Sequence, residues 1–155
     1  STSEAYARAA FTTLQADVII VQWNTLTEHL RAFERIRSQS IKVGLGLSPD
    51  DSLDEASRLF QDIDLLLLLG VYPGFGGQSM QPGTYERVST ARLLADQGTR
   101  RIPIAVDGGV KAENAVQCAQ AGADILIMGT ALFQANDMAK TVRSIRESIE
   151  ESLRH

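Results

Sequence analysis

Apolar residues along this chain follow two rhythms. Short continuous runs at Val18-Ile19-Ile20-Val21, residues 41–47, the five leucines Leu65 to Leu69, residues 102–106 and Ile125 to Met128 are bounded by polar or glycine corners. Runs of this length, with no polar alternation, predict strands buried on both faces, as in a parallel sheet. Between them, apolar positions recur at steps of three and four. Thr25 to Ser38 carries Leu26, Leu30, Phe33 and Ile36, and Gly83 to Gln97 offers Tyr85, Val88, Leu93 and Leu94 as buried positions. Lys111 to Gln120 and Asp137 to about Leu153 predict two more helices, and Ser3 to Leu14 one in front. Ser52-Leu53-Asp54-Glu55 has capping-box spacing and opens a helix through about Phe60.

Strict alternation of strand and helix implies parallel strands joined by right-handed crossovers. Asp17, Asp64 and Asp124 each stand just before a strand, a weak internal repeat of one βα unit. A doubly wound sheet and a barrel both satisfy this pattern. In either, ligands sit beyond the C-terminal ends of the strands. Those ends read Gln22-Trp23-Asn24, Ser48-Pro49, Gly74-Phe75-Gly76-Gly77-Gln78, Asp107-Gly108-Gly109 and Gly129-Thr130. Glycine turns there suit an anion, because bare backbone N–H groups approach it closely; a ligand-free corner is the alternative. Asp107 is either a general base or metal ligand, or a turn former before Gly-Gly.

Composition narrows the field. A chain of 155 residues fits one domain, 1–155, and 44% hydrophobic with 22% charged residues is ordinary for a globular protein. A net charge of −4 leaves no footprint for nucleic acid or an acidic membrane, and no run is long enough to span a bilayer. The single cysteine, Cys118, excludes an intrachain disulfide and reads as core. No signal pattern opens the chain, so a cytoplasmic setting is expected. His29 is expected on a solvated helix face and His155 is terminal, so neither is a candidate for chemistry. The glycine turn lacks both a Walker lysine and a dinucleotide fingerprint.

Four segments carry a resemblance. Val71-Tyr72-Pro73-Gly74-Phe75-Gly76-Gly77-Gln78, Val106-Asp107-Gly108-Gly109-Val110, Ala121-Gly122-Ala123-Asp124 and Gly129-Thr130-Ala131-Leu132-Phe133 resemble, in order and spacing, the sixth to eighth strand regions of the ribulose-phosphate 3-epimerase family. The first is the most specific. The resemblance implies an α/β fold of (β/α)₈ TIM-barrel, phosphate-binding type, with this chain carrying strands four to eight and lacking the first three βα units.

It also implies an isomerase that interconverts ribulose 5-phosphate and xylulose 5-phosphate, or a related ketose phosphate, through an enediolate. Two aspartates on opposite faces would move the proton, assisted by a divalent metal ion (Zn, Fe, Mn or Co). On this resemblance Asp107 is both catalytic and a metal ligand. Gly74, Phe75, Gly76, Gly77, Gly108, Gly109, Gly129 and Thr130 are substrate and phosphate contacts. The partner aspartate and the metal-ligand histidines belong to the absent units, so no epimerisation is expected from this chain alone.

Tyr72 stands where the family usually has Asn, Gly70 for Ser, Leu69 for a pocket Met, Gln22 for His and Ser48 for Asn. Two rivals follow: a non-catalytic sugar-phosphate-binding paralogue, and another phosphate-barrel lyase or synthase, which would want a lysine at a strand end. Five strands with open edges also lead us to expect a homo-oligomer.

Overall fold

A computed structural model of the chain describes residues 17–25, 28–74, 78–129 and 137–154. The predicted helix from Ser3 to Leu14 lies outside them. Five strands, β1 (Val18–Gln22), β2 (Lys42–Leu47), β3 (Leu65–Leu69), β4 (Ile104–Asp107) and β5 (Ile125–Ile127), form one parallel sheet in the order β1-β2-β3-β4-β5. A doubly wound sheet reverses its order at a switch point, and this one does not. Sequential order with right-handed crossovers places every helix on one face, which is barrel-type winding.

The helices are α1 (His29–Arg37), α2 (Leu53–Ala56), α3 (Thr84–Ala95), α4 (Ala112–Ala121) and α5 (Met138–Leu153). The leucine strand shows how the two faces divide. Leu66 and Leu68 join Val43, Leu45, Leu47, Ile104 and Val106 against Phe33, Phe60, Val88, Ala91 and Cys118 of the helical layer. Leu65, Leu67 and Leu69 point the other way, with Val18, Ile20, Ala105, Ile125 and Ile127. This second face is the barrel interior.

Three expectations are corrected. The element after Ser52 is α-helical only to Ala56 and continues as a 3₁₀ helix over Ser57–Asp62. The Ser57 hydroxyl donates to the Asp54 carbonyl at 2.7 Å and Arg58 Nε to the Glu55 carbonyl at 3.2 Å. Both side chains occupy carbonyls that longer-range helix bonds would use. Leu93 is 70% exposed and Leu30 52% exposed, where burial was expected. On α3 the buried face is Thr84, Val88, Ala91 and Ala95, small enough to bring the helix close to the sheet, and Leu93 falls off that stripe.

His29 is half-buried rather than on a freely solvated face. Its ring stacks on Trp23, with centroids 4.6 Å apart and planes within 10°, and Nε2 donates to the Trp23 carbonyl at 2.8 Å. It closes the 3₁₀ turn Trp23–Thr25 onto the start of α1. The role is structural.

At the N-terminal ends of the strands the aspartate repeat becomes a geometric one. Asp64 N donates to Val43 O at 2.7 Å while its carboxylate accepts from Val43 N at 2.9 Å. Asp124 does the same to Ile104, at 2.8 and 2.9 Å. Each carboxylate also meets arginine: Arg100 at 3.6 Å from Asp64, Arg101 at 2.6 Å from Asp124, and Arg92, which bridges Asp124 to the Gly122 and Ile102 carbonyls. At Asp17 it is the main-chain oxygen that accepts, from Lys42 N at 3.0 Å.

Candidate functional site at the C-terminal ends of the strands

Strand parity decides which side chains face the barrel interior. Ala105 is interior, so Asp107, two residues on, shares its face and sits at the C-terminal end of β4. In register it lies between Leu69 of β3 and Ile127 of β5, both interior. Asp107 is half-buried and is the one carboxylate within a described strand. Gln22 ends β1 on the same face, and its amide lies over Gly46, where an added Cβ would come within 2.7 Å of Nε2. Gly44 and Gly46 face inward and leave room for Ile20 and Gln22. Inward glycines in a strand of otherwise large residues were the signal for this opening.

The glycine turns after β3 and β4 interlock. Gly70 N donates to Asp107 O at 2.7 Å, and a Cβ on Gly70 would stand 2.5 Å from Gly108 O. A Cβ on Gly109 would stand 2.6 Å from Met80 N. Gly108 and Gly109 have φ of 100° and 76°, conformations that strain any other residue. These glycines therefore answer first to backbone packing, which spacing along the chain could not reveal. Gly74 (φ 94°) and Gly129 differ: among the described residues, a Cβ on either would meet nothing within 4 Å. Phe75, Gly76, Gly77 and Thr130 lie outside the described residues.

Asn114 locks the second turn to α4, donating to Gly109 O at 2.8 Å and accepting from Lys111 N at 2.8 Å. Among the described residues no group of three or more His, Cys, Asp or Glu side chains could hold a metal ion. Those residues alone do not build a seat for a divalent cation. No described helix is long and apolar enough to cross a membrane.

A half-open parallel sheet with one-sided helices, an interior carboxylate at a strand's C-terminal end and glycine turns beside it define a phosphate-binding barrel of TIM type. Solved structures agree on the fold. 3-Hexulose-6-phosphate synthase from Salmonella typhimurium superposes with a TM-score of 0.65 at 21% identity, over 98% of this chain and 70% of that one. Thiamine phosphate pyrophosphorylase from Pyrococcus furiosus superposes at 0.61 and 20% identity, over 92% of this chain and 64% of that one.

The sequence comparison is narrower. The Ribulose-phosphate 3 epimerase family profile matches residues 3–133, and the chain belongs to that family. Ribulose-phosphate 3-epimerase of Bacillus subtilis is 34% identical over 140 residues, covering 90% of this chain and 64% of that protein. The Serratia marcescens ribulose-phosphate 3-epimerase is 39% identical over 115 residues, covering 74% and 55%. The chain thus spans between about half and two thirds of the length of these enzymes.

Proposed function

We propose that this chain carries the phosphate-holding five βα units of a ketose-phosphate 3-epimerase, with Asp107 as one of its two acid/base groups. The observation that supports this most is the placement of Asp107 on the interior face, between the ends of β3 and β5 and beside the interlocked glycine turns. Main-chain amides of Gly74, Gly108, Gly109 and Gly129 would hold the phosphate, as glycine turns at strand ends do in such barrels. Phe75, Gly76, Gly77 and Thr130 complete the proposed contacts.

The chemistry asked of Asp107 is proton abstraction from the carbon next to a ketone. Its carboxylate takes the C3 proton, the C3–H electron pair moves into the C2–C3 bond, and the carbonyl electrons move to oxygen, giving an enediolate. Return of a proton to the same face restores the starting sugar; delivery to the opposite face by a second acid inverts C3. The described strands supply one carboxylate, Asp107, so the chain by itself should bind ketose phosphate and fail to invert it.

The test is ribulose 5-phosphate added to the chain in deuterium oxide and followed by NMR. Shifts at the Gly74, Gly108, Gly109 and Gly129 amides, without formation of xylulose 5-phosphate, are expected. Absence of those shifts overturns the cradle. Inversion by the chain alone overturns the division of acid/base labour.

A further inference from the structure

The proton transfer leaves one polar side chain of the barrel interior unused. Gln22, Gly46, Leu67, Ala105 and Ile125 lie side by side across the five strands, and Leu69, Asp107 and Ile127 form the next layer toward the C-terminal ends. Among the described strand residues, Gln22 and Asp107 are the polar side chains of those two layers, and both are half-buried. One layer further down, Gly44 stands to Ile20 as Gly46 stands to Gln22. A Cβ on Gly44 would come within 2.9 Å of Ile20 Cγ1, and one on Gly46 within 2.7 Å of Gln22 Nε2 and 2.9 Å of Oε1. Each glycine thus leaves its side-chain space to a residue of the neighbouring strand.

An aliphatic group fills the lower slot, and packing asks no more of the upper one. The amide adds two N–H donors and two acceptor lone pairs, enough to serve a ligand beside any protein contact it makes. Lying over Gly46 also carries it one strand toward Asp107. From β2 to β4 is two strand spacings, roughly 10 Å along the sheet, and the curl of the barrel shortens the direct path. A short polyol chain fits such a gap. A hydroxyl donates and accepts, as an amide does. The amide carries no charge and does not titrate, so it can orient a substrate without competing for the proton that Asp107 takes.

We infer that Gln22, seated by Gly46, binds a hydroxyl group of the sugar chain and so selects a ketose phosphate over bare phosphate. This contact rests on the ketose-phosphate reading above and adds to it a residue that recognises the carbon chain. Gly46 acts through Gln22: its missing side chain is what lets the amide lie across β2.

Two variants of the chain separate this contact from a packing role. Gln22→Leu keeps a side chain of similar bulk and removes its hydrogen-bonding groups. Gly46→Ala keeps Gln22 but takes its seat; the atoms that the methyl meets are the far end of a flexible side chain, so the fold is kept by swinging the amide away. Each variant is titrated by NMR with ribulose 5-phosphate and with inorganic phosphate, and its denaturation midpoint is compared with that of the parent chain. Both should weaken ribulose 5-phosphate about tenfold, the loss of one hydrogen-bonded group, with inorganic phosphate affinity and midpoint close to the parent's. Unchanged ribulose 5-phosphate affinity in Gln22→Leu would overturn the contact and leave the ketose-phosphate reading standing. Equal loss of both ligands would also overturn it, since a packing role alone produces that. A parent chain that binds neither ligand would overturn the ketose-phosphate reading and this contact with it.

Discussion

The two ends of the sheet solve opposite problems with opposite residues. At the N-terminal ends, Asp64 and Asp124 each satisfy an amide near the start of a neighbouring strand with a carboxylate and hold an arginine across the outside. Charge and side chain are spent on closure. At the C-terminal ends the neighbouring turns pack closely, Gly70 against the Gly108 carbonyl and Gly109 against the Met80 main chain, with side chains absent from the glycines where they would clash. Leaving out side chains lets the two turns approach beside Asp107. One end closes through side chains and the other through glycine turns, and both lie on the same five strands.

Substitutions at each end should break that contrast in order of size. Asp124→Ala should cost the most, about 3 kcal/mol, because it orphans Ile104 N and strips the carboxylate from Arg92, whose side chain is only 12% exposed. Asp64→Ala should cost less, about 2 kcal/mol, since it orphans Val43 N but its partner Arg100 is 49% exposed. Chemical denaturation of the two variants checks the ratio. At the other end, Gly70→Ala should cost about 2 kcal/mol, because the new methyl meets a main-chain oxygen that cannot swing away. Gly129→Ala, where a Cβ meets none of the described residues, should cost less than about 0.5 kcal/mol in the same experiment.

The helical layer joining the two ends can be read through Cys118, which is fully buried. Burial pushes its thiol up to about 11 from 9.0. Below pH 9 the folded and unfolded chains are both protonated there, and stability is intact. Between pH 9 and about 11 only the unfolded chain releases the proton, so stability falls as pH rises, by up to about 2 kcal/mol. Cys118→Ala should flatten that part of the pH profile. Asp107→Asn should have a small effect on stability, within about 1 kcal/mol. It should nevertheless abolish any exchange of the C3 proton of ribulose 5-phosphate measured in deuterium oxide.

Much of this was legible along the chain. Unbroken apolar runs placed all five strands to within two residues, because a strand buried on both faces has nowhere to put a polar side chain. Asp137 caps α5 through Lys140 N at 3.0 Å, as a polar residue before an amphipathic run should. The segment from Tyr72 to Gln78 and the Val106-Asp107-Gly108-Gly109 run pointed to the family that the profile match then established. Less legible was which apolar residues of a helix are buried. Leu93 and Leu30 have the right composition and the wrong azimuth, because small residues on α3 and the Trp23–His29 stack at α1 decide how each helix lies. The sense of the glycines was hidden too: a glycine kept for a neighbour's backbone and one kept for a ligand look alike in one dimension.

Local pattern therefore determined the five strands and their order in the chain, the positions of the aspartate corners and the family, since each depends on residues close together in the chain. Tertiary structure decided the rest. It wound the strands sequentially rather than in two directions, and sorted Leu65, Leu67 and Leu69 from Leu66 and Leu68. It matched Asp64 to Val43 and Asp124 to Ile104, brought Gly70 against Gly108, and set Tyr72 beside Asp50. Each of these joins residues about 20 to 40 positions apart, and only packing of whole βα units against one another brings them within bonding distance.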